Sequence, residues 1–549
     1  MNKRLFRIIE LIAVIIIVII GVISFDKFKS LVNENHIDDY EWLKDNVELV
    51  KSGGIFVVDK DNSINIYSDN YRKVINEKIN DKLNMSYTLN EPFILYNAYG
   101  TNSQSVNMYF STKEKYIVKY TISVDDENIK DFSKVLYGDL TSKHAYQIIG
   151  LVPGYINNIK IELLDQNNNV SKKYNFEVNL VNQKTKSQAK LKISESSDDT
   201  NLYDGLYTIL GNDSGSGNYL SMYDNDGVLR SEIPIMNYRA NKILFKDNYM
   251  YFSISSKKIV KMNNLGEVVD IYSTKNYKIN YDYTFDNNGN LLVITSDTKK
   301  KTVEDQIIRI DTNTHEITNL VDFSSIFGDY IDFCEDNPAT IKDINSNGLN
   351  YLGLNSIEYI DNSLLVSSRE TSSIIKVDSI DNNPKISYII GAKELWKDTN
   401  YYDLVFEKTG DFVVNAGQSD CRYNDQYITM FNNNYANQSS YSINKEIYKD
   451  LGINNTDINT GTKSMFYKYK INEANKSFEL VDSFIVSYSG INGNAQVLDN
   501  GNILIDSAIN GQFTEYDSNH NAIKSFKVKL NKNQVYRVYK YTFNDYWFK

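Results

Sequence analysis

From about residue 201 to the C-terminus, the chain repeats one pattern of hydrophobic and polar positions. Short runs of alternating apolar and polar residues are separated by turns rich in Asn, Asp and Gly, as in residues 281–297 (YDYTFDNNGNLLVITSD). Alternation with a period of two predicts half-buried β-strands, and these turns predict hairpins. The pattern recurs in six copies, each long enough for four strands. Radial repetition of four-stranded sheets predicts a six-bladed β-propeller over residues 201–549, whereas a parallel β-helix would have a shorter and more regular period.

A second alternating region, upstream of the propeller, predicts a smaller β domain. Residues 86–185 contain runs such as SVNMYFST, YIVKYTISV and YNFEVNL with polar turns between them, which favours a small β-sandwich. Residues 186–200 (KSQAKLKISESSDDT) are polar and predict a linker. Residues 26–85 are interpreted as a stalk or linker region, because residues 26–50 have the pattern of an amphipathic helix leaving a membrane.

Residues 1–25 contain a continuous apolar run that predicts a membrane helix. Lys3 and Arg4 provide a basic flank, and the stretch that follows is about 30 Å long as a helix, enough to cross the hydrocarbon core. No Ala-x-Ala cleavage site follows the run, and no nearby cysteine offers a lipid anchor, so an uncleaved signal-anchor is favoured over a cleaved signal peptide. The basic residues predict a single-pass protein of the cell membrane, with its N-terminus inside and the bulk of the chain outside.

Composition narrows the classes of partner and cofactor. The net charge of −11 argues against a nucleic-acid partner, which would require a basic face. Cys334 and Cys421 would lie in a disulfide-permissive compartment, and the sequence leaves open whether they form a disulfide or remain free, buried thiols. No Cys-x-x-Cys motif or Cys/His spacing typical of a metal site is present, so neither a metal nor a cofactor is expected.

Residues 354–378 contain the main candidate for ligand binding. Arg369 lies between two predicted strands, with two serines before it and Glu370, Thr371 and Ser372 after it. An arginine held on a sheet among small hydroxyl groups is suited to bind an anion, and it is equally suited to an ion pair between blades. Asn355 is a second candidate for substrate binding, although asparagine also serves as a turn residue.

Several segments resemble the bacterial arylsulfate sulfotransferase (arylsulfotransferase) family. They include YNAYGTNSQSVNMYF and HAYQIIGLVPGYINNIKIEL in the predicted sandwich, and YLGLNSIEYIDNSLLVSSRETSSIIKVD and GDFVVNAGQSDCRYNDQYITMFNNN in the predicted propeller. The resemblance covers about residues 90–545 and implies a sandwich followed by a six-bladed propeller. It also implies sulfuryl transfer from an aryl sulfate to a phenolic acceptor by funnel histidines and one arginine, and it leaves a homodimer through the sandwich open.

The chain departs from the family at the positions of the histidines. A His-His-Asp-Tyr-like segment of the family corresponds here to Asn280-Tyr281-Asp282-Tyr283. The histidine two residues before an Asn-Ser pair corresponds to Gly353, and the histidine of a Gly-Gln-His segment corresponds to Ser419. Only Arg369 and Asn355 match the family's site. The histidines that the chain does contain fall in other segments, at His36, His144, His315 and His520.

The sequence therefore predicts a family member that has lost catalysis and binds a small anionic or sulfated aromatic ligand through Arg369 and Asn355. Two alternatives stay open. The first is an active sulfotransferase with a rearranged site, in which Tyr281, Ser419 or a histidine brought in by folding replaces the missing groups. The second is a surface adhesion or scaffold protein that uses the rim of the propeller.

Overall fold

The chain folds into an N-terminal β domain followed by a propeller. The computed structural model describes the residues in the ranges 37–185, 190–196, 201–211, 218–236, 239–335, 348–397, 399–436, 447–453, 461–529 and 535–549. The predicted signal-anchor at 1–25 lies outside these ranges. Within them, no helix is both long and apolar enough to cross a membrane. The prediction of an all-β chain with a small N-terminal β domain and a six-bladed propeller is confirmed.

The N-terminal domain contains two helices and eight strands. They are α1 (Tyr40–Asn46), β1 (Glu48–Ser52), β2 (Ile55–Asp59), α2 (Asp69–Leu83), β3 (Phe93–Tyr96), β4 (Ser105–Ser123), β5 (Phe132–Val135), β6 (Thr141–Ile149), β7 (Ile156–Leu164) and β8 (Val170–Asn179). The strands pair in the order β1-β2-β3-β4-β7-β8, and β5 and β6 also pair with β4. The long strand β4 thus joins the two halves of the domain.

Residues 40–83, assigned to a stalk from the sequence, are an integral part of this domain. β1 and β2 form a hairpin, and β2 pairs in parallel with β3. Helix α2 begins after Ser68, whose side chain accepts a hydrogen bond from the backbone N–H of Tyr71. Val74 and other apolar residues of α2 are buried in one cluster with Leu43 and Phe93. The stalk prediction is wrong for these residues, because their apolar positions find partners only in the tertiary fold.

The propeller is built from strands of three to ten residues. In chain order they are β9 (Lys190–Ser196), β10 (Leu206–Ile209), β11 (Tyr219–Tyr223), β12 (Leu229–Pro234), β13 (Ile243–Lys246), β14 (Tyr249–Ser255), β15 (Lys258–Asn263), β16 (Val268–Ser273), β17 (Tyr277–Phe285), β18 (Leu291–Asp297), β19 (Gln306–Ile310), β20 (Ile317–Asp322), β21 (Leu354–Ile360), β22 (Ser363–Ser368), β23 (Ser373–Asp378), β24 (Lys385–Ile390), β25 (Glu407–Thr409), β26 (Ser419–Asn424), β27 (Tyr427–Asn432), β28 (Ser464–Asn472), β29 (Ser477–Val486), β30 (Asn494–Val497), β31 (Ile503–Ser507), β32 (Gln512–Tyr516), β33 (Ala522–Lys529) and β34 (Val538–Tyr541). Helices α3 (Phe323–Ile326) and α4 (Gly328–Glu335) follow β20.

Strands from both ends of the propeller close its ring. Blades 2, 3 and 4 are consecutive strands, β13–β16, β17–β20 and β21–β24, and blade 5 is β26–β29 with β25 parallel to β29. Blade 1 is β34-β10-β11-β12, so the C-terminal strand supplies its innermost position. Blade 6 is β30–β33 with β9 at its outer edge. Residues 190–196 are therefore a strand and not part of a 186–200 linker, because the alternating run around Leu191 pairs with β33.

The C-terminal residues hold the propeller against the N-terminal domain. After β34, Trp547 Nε1 donates to Gln147 Oε1 at 3.0 Å, and Phe548 forms a β-bridge with Leu136. The same aromatic residues belong to a hydrophobic cluster that includes Ile148 of β6. The two domains that the resemblance implies therefore share one continuous hydrophobic core.

Neither cysteine forms a disulfide, and both are buried. Cys334 on α4 lies in a hydrophobic cluster with Trp396, and Cys421 on β26 lies in a different cluster with Ile428. The disulfide alternative is wrong, because the two thiols are buried in separate parts of the core. Burial raises the pKa of Cys334 to about 11 and that of Cys421 to about 12, so both stay protonated at neutral pH.

Candidate functional site

The innermost strands of the six blades, β34, β13, β17, β21, β26 and β30, line the central channel. Because strand direction alternates within a blade, loops that lead into an innermost strand emerge on the same face as loops that join the second strand to the third. We call this the entry face. Three segments that emerge there belong to blades 3 and 4: the loop 298–305, residues 348–353 and the turn 369–372.

Arg369 lies on the entry face and is engaged in ion pairs. Its Nε and Nη2 atoms lie 2.9 and 2.7 Å from Glu370 Oε1, and Nη2 lies 3.8 Å from Glu304 Oε2. Asn350 Nδ2 donates to Glu304 Oε2 at 2.9 Å. Tyr281 lies close enough to Glu304 for each side chain to shift the pKa of the other. We call Tyr281, Glu304, Asn350, Arg369 and Glu370 the mouth cluster.

Burial sets the protonation behaviour of the mouth cluster. It raises the pKa of Glu304, against the opposing effects of Arg369, Asn350 and Tyr281. Burial also raises the pKa of Tyr281 above 10, and the nearby Glu304 carboxylate acts in the same direction. The guanidinium of Arg369 faces two carboxylates while its side chain remains 20% exposed. An external anion would therefore meet an arginine whose charge is already compensated.

Gly353 occupies a position where the family resemblance places a histidine. Its φ of +58° is in the left-handed region that favours glycine. A Cβ atom added here would lie 3.1 Å from Glu370 Cγ, 3.2 Å from Arg369 Nη2 and 3.3 Å from Glu370 Oε1. The ion pair of Arg369 and Glu370 thus fills the space in which a histidine side chain would begin.

Tyr281 lies in a bulge of the innermost strand of blade 3. The register of β17 shifts between Ile279 and Tyr283, and Tyr281 itself has a φ of +43°. Its carbonyl oxygen accepts hydrogen bonds from Tyr536 Oη at 3.0 Å and Arg537 Nη1 at 3.3 Å. These bonds from the segment before β34 hold the bulge in place.

An arginine and a second tyrosine lie beside Tyr281. The guanidinium carbon of Arg239 is 5.2 Å from the centre of the Tyr281 ring and 3.9 Å from that of the Tyr536 ring. The two ring centres are 6.5 Å apart. A cation over aromatic faces at these distances is attracted by their electron-rich surfaces. Tyr281 is therefore influenced by two guanidinium groups, those of Arg239 and Arg369.

The two predicted asparagines have structural partners. The side chain of Asn280 is hydrogen-bonded to Ser296 Oγ at 2.6 Å, within blade 3. Asn355 Nδ2 donates to the carbonyl oxygen of Gln418 at 2.8 Å, which links blades 4 and 5. In the described ranges, neither asparagine forms a hydrogen bond with Arg369.

Ser419 and the three histidines within the described ranges lack the contacts that catalysis would require, and His36 lies outside those ranges. Ser419 Oγ donates to Asn433 Oδ1 at 2.9 Å, and an amide oxygen is not a base that could activate a nucleophile. His144 stacks on a phenylalanine within the N-terminal domain. His315 and His520 lie in the β19–β20 and β32–β33 turns, which emerge on the face opposite the entry face. His315 is hydrogen-bonded to Asp270 there.

Inside the channel, Arg422 organises a buried network of charged groups. Its terminal nitrogens contact Asp282 Oδ2 at 2.7 Å, Glu358 Oε1 at 2.9 Å and Tyr539 Oη at 2.9 Å, and they also pair with Asp420. Burial opposes ionisation of Asp282, but Arg422 and neighbouring basic groups hold its pKa below the usual value. The network connects the innermost strands of blades 3, 4, 5 and 1, so we interpret it as structural. In the described ranges, no group of three or more His, Cys, Asp or Glu side chains could hold a metal ion.

Sequence reasoning identified two members of the mouth cluster and missed the acidic ones. Arg369 and Tyr281 were singled out, whereas Glu304, Asn350 and the pairing role of Glu370 were not. A clue to Glu304 was available, since it precedes the third strand of blade 3 just as Arg369 precedes the third strand of blade 4. Equivalent loops of neighbouring blades lie side by side, so their charged residues meet.

Comparisons with known proteins agree with this architecture. Residues 192–545 match the model of the family described as arylsulfotransferase (ASST). Residues 93–179 match the model described as the arylsulfotransferase Ig-like domain. No curated protein matches the chain.

Solved structures similar to this chain share little sequence with it. A streptogramin B lyase is 12% identical, with 64% of this chain and 94% of that chain covered and a TM-score of 0.32. Virginiamycin B lyase from Staphylococcus aureus is 13% identical, with 59% and 95% covered and a TM-score of 0.24. The Pan2 WD40 domain of Neurospora crassa is 11% identical, with 64% and 91% covered and a TM-score of 0.27. These likenesses carry no functional argument, but the family models match both domains and most of the propeller. The chain therefore belongs to the arylsulfotransferase family.

Proposed function

We propose that this protein binds an aryl sulfate or a similar anionic aromatic ligand at the mouth cluster and does not carry out the histidine-dependent sulfuryl transfer of its family. The observation that carries the proposal concerns Gly353, the position at which the family resemblance places a histidine. The space that a histidine side chain would enter there is filled by the Arg369–Glu370 ion pair. A sulfohistidine intermediate needs an imidazole beside the sulfate-binding arginine. Gly353 and Ser419 provide none.

The remaining contacts of Arg369 support binding of an anionic group. Its Nε and Nη2 atoms are engaged by Glu370, whereas its Nη1 atom has no hydrogen bond to any residue in the described ranges. A guanidinium offers five N–H donors, so a sulfate oxygen can still be bound at Nη1. The ring of Tyr281 is partly exposed and provides apolar surface for an aryl group, whereas Tyr536 beside it is buried.

Glu304 and Glu370 weaken this site for anions at neutral pH. Each carboxylate compensates part of the charge of Arg369, and a sulfate must be accommodated beside them. Because burial raises the pKa of Glu304, this carboxylate is neutralised at a higher pH than an exposed glutamate. We therefore expect modest affinity that improves as the pH falls.

Binding of 4-nitrophenyl sulfate by the full chain, measured by calorimetry, tests the proposal. Loss of a charge-assisted hydrogen bond is worth about 1.5–3 kcal/mol, so Arg369→Gln should weaken binding about tenfold or more. Arg309→Gln is the matched control, because Arg309 is 22% exposed and also lies between two carboxylates, Asp286 and Asp381, but on the outer part of blade 3. Equal binding by wild type and Arg369→Gln would reject the proposed site.

The proposal includes anchoring of the protein in the cell membrane through residues 1–25, with the propeller outside. The basic flank and the apolar run of this segment support it. Fractionation of cells that express the full chain provides the test. The protein should stay with the membranes after alkaline carbonate extraction and should be digested by protease added to intact spheroplasts. Release into the soluble fraction would contradict anchoring.

A further inference from the structure

Lys540, Asn225 and Glu515 meet where blade 1 packs against blade 6. Lys540 Nζ donates to Asn225 Oδ1 at 2.7 Å and to Glu515 Oε2 at 2.8 Å. The three residues come from different elements: Lys540 from β34, Asn225 from the turn between β11 and β12, and Glu515 from β32. This turn emerges on the face opposite the entry face, so the three residues are separate from the mouth cluster. An amine, a carboxamide and a carboxylate are thus in direct contact.

Burial favours the uncharged form of the Lys540 amine. The side chains of Lys540 and Glu515 are both fully buried, and Lys540 Nζ lies 4.1 Å from the centre of the Tyr207 ring. Burial lowers the pKa of Lys540 to about 8, against the opposing effect of Glu515. An uncharged lysine amine is a nucleophile, and an adjacent base that takes its proton activates it. Lys540 is therefore suited to attack a carbonyl carbon within its reach.

Hydrogen bonds fix both oxygens of the Glu515 carboxylate. Oε1 accepts from the backbone N–H of Tyr203 at 2.8 Å and from Asn502 Nδ2 at 2.7 Å. Oε2 accepts from Tyr207 Oη at 2.7 Å, in addition to Lys540. Burial opposes ionisation of Glu515, but Lys540, Tyr203 and Tyr207 hold its pKa below the usual value. Glu515 is thus an ionised carboxylate in position to receive a proton from the amine.

Asn225 presents its side-chain amide to the amine. Its Nδ2 donates to the carbonyl oxygen of Tyr203 at 3.2 Å, while its Oδ1 accepts from Lys540. The turn is fixed in turn by Asp224, whose Oδ1 accepts from two backbone N–H groups of the turn, both at 2.9 Å. Because a carbonyl bond is about 1.23 Å long, Asn225 Cγ lies no further than about 3.9 Å from Lys540 Nζ. A small side-chain movement reaches the distance of about 3–3.5 Å from which reacting atoms form a bond.

We infer that Lys540 and Asn225 form an intramolecular isopeptide bond, with Glu515 as the group that transfers the protons. Lys540 Nζ gives a proton to Glu515 and forms a bond to Asn225 Cγ. The bond between Cγ and Nδ2 then breaks, and its electron pair leaves with Nδ2, which takes the proton from Glu515. A second proton from Nζ passes through Glu515 to the departing ammonia. The products are a secondary amide, an ammonium ion and an ionised Glu515, so the three side chains supply every atom of the reaction.

The isopeptide bond closes the propeller covalently. It joins β34, the last strand of the chain, to the turn that follows β11 in the same blade. Blades 2 to 6 lie between the two linked residues in the sequence, so the covalent loop contains nearly the whole ring. Without the bond, closure depends on strand pairing and side-chain packing between the two ends of the propeller. Asn225 is only half-buried, which gives the ammonium ion a route to solvent.

Mass analysis of the denatured, reduced full chain tests the inference. Wild type should be lighter than its sequence by one NH₃, and digestion should yield a branched peptide that contains both Asn225 and Lys540. Lys540→Arg should keep the full mass of its sequence, and Glu515→Gln should form the bond roughly 10²–10⁴-fold more slowly. Lys130→Arg is the matched control, because Lys130 Nζ lies 2.8 Å from Asp226 Oδ1 in the same turn but has a side chain that is 68% exposed. It should lose NH₃ like wild type.

The decisive result comes from wild type, so the inference can be refuted even if a variant fails to fold. A wild-type chain of full mass would overturn it and leave Lys540 and Glu515 as a buried ion pair. Loss of NH₃ without the branched peptide would also overturn it, since an asparagine that cyclises on its own backbone loses NH₃ as well. Unchanged loss of NH₃ in Lys540→Arg would have the same meaning. None of these outcomes depends on ligand binding at the mouth cluster.

Discussion

Restoring a side chain at Gly353 should destabilise the propeller without restoring catalysis. A non-glycine residue in the left-handed region costs roughly 1–2 kcal/mol. The added Cβ would also lie 3.1–3.3 Å from atoms of Arg369 and Glu370, closer than ordinary van der Waals contact. Overpacking of this kind costs typically about 1–3 kcal/mol. Gly353→Ala should therefore lose about 2–5 kcal/mol of the free energy of unfolding.

Gly501→Ala separates the backbone effect from the packing effect. Gly501 lies in the same propeller with a φ of +86°, but no atom lies within 4 Å of an added Cβ. It should therefore lose only the backbone contribution, about 1–2 kcal/mol. Urea unfolding followed by fluorescence suits the comparison, because Trp396 is buried in one hydrophobic cluster with Leu352 and Leu354, which flank Gly353.

Two results would refute this reasoning. Equal losses in Gly353→Ala and Gly501→Ala would mean that the Arg369–Glu370 pair does not occupy the space above Gly353. Sustained sulfuryl transfer by Gly353→His would mean that a histidine fits beside Arg369 after all. We expect Gly353→His to be at least as destabilised as Gly353→Ala, because the larger side chain must displace the ion pair.

Three further predictions concern titratable groups. The affinity for 4-nitrophenyl sulfate should increase as pH falls, because protonation of Glu304 removes a negative charge beside Arg369. In Glu304→Gln, calorimetry should show that the affinity depends less on pH, and an unchanged pH dependence would implicate another group. Burial raises the pKa of the Asp506 carboxyl in the folded protein well above its unfolded value of about 3.8, so protonated Asp506 stabilises the fold at low pH and this stabilisation is lost as the pH rises through the folded-state pKa. In Asp506→Asn, the free energy of unfolding measured in urea should decline less over this pH range, and a decline identical to that of wild type would contradict the prediction. Without reductant, Ellman's reagent should react slowly with the native protein, because both thiols are buried and neither is in a disulfide. After unfolding it should react with both Cys334 and Cys421, and no reaction would indicate a disulfide.

Local patterns in the sequence were sufficient to predict the propeller. Each blade consists mainly of consecutive hairpins, whose alternation and turn residues are visible over short stretches such as 281–297. The pairing of β34 with β10 and of β9 with β33 was not predictable in this way, because these partners come from opposite ends of the propeller. The short elements of residues 40–83 were missed for a similar reason, since their apolar residues are buried by strands that follow later.

The candidate site was predicted only in part for the same physical reason. The sequence around Arg369 shows a charged residue among hydroxyl groups, and it matches the family. It does not show that Glu304, from the neighbouring blade, approaches Arg369. The compensation of the arginine's charge arises where loops of adjacent blades meet.

Release of 4-nitrophenol from 4-nitrophenyl sulfate in the presence of excess phenol distinguishes a binding protein from an active sulfotransferase. For the wild-type chain we predict that 4-nitrophenyl sulfate binds, as measured by calorimetry, and that 4-nitrophenol is not released continuously. Continuous release over many equivalents, with 4-nitrophenyl sulfate consumed and phenyl sulfate formed, would show that the family's catalytic cycle persists without its histidines and would contradict the account.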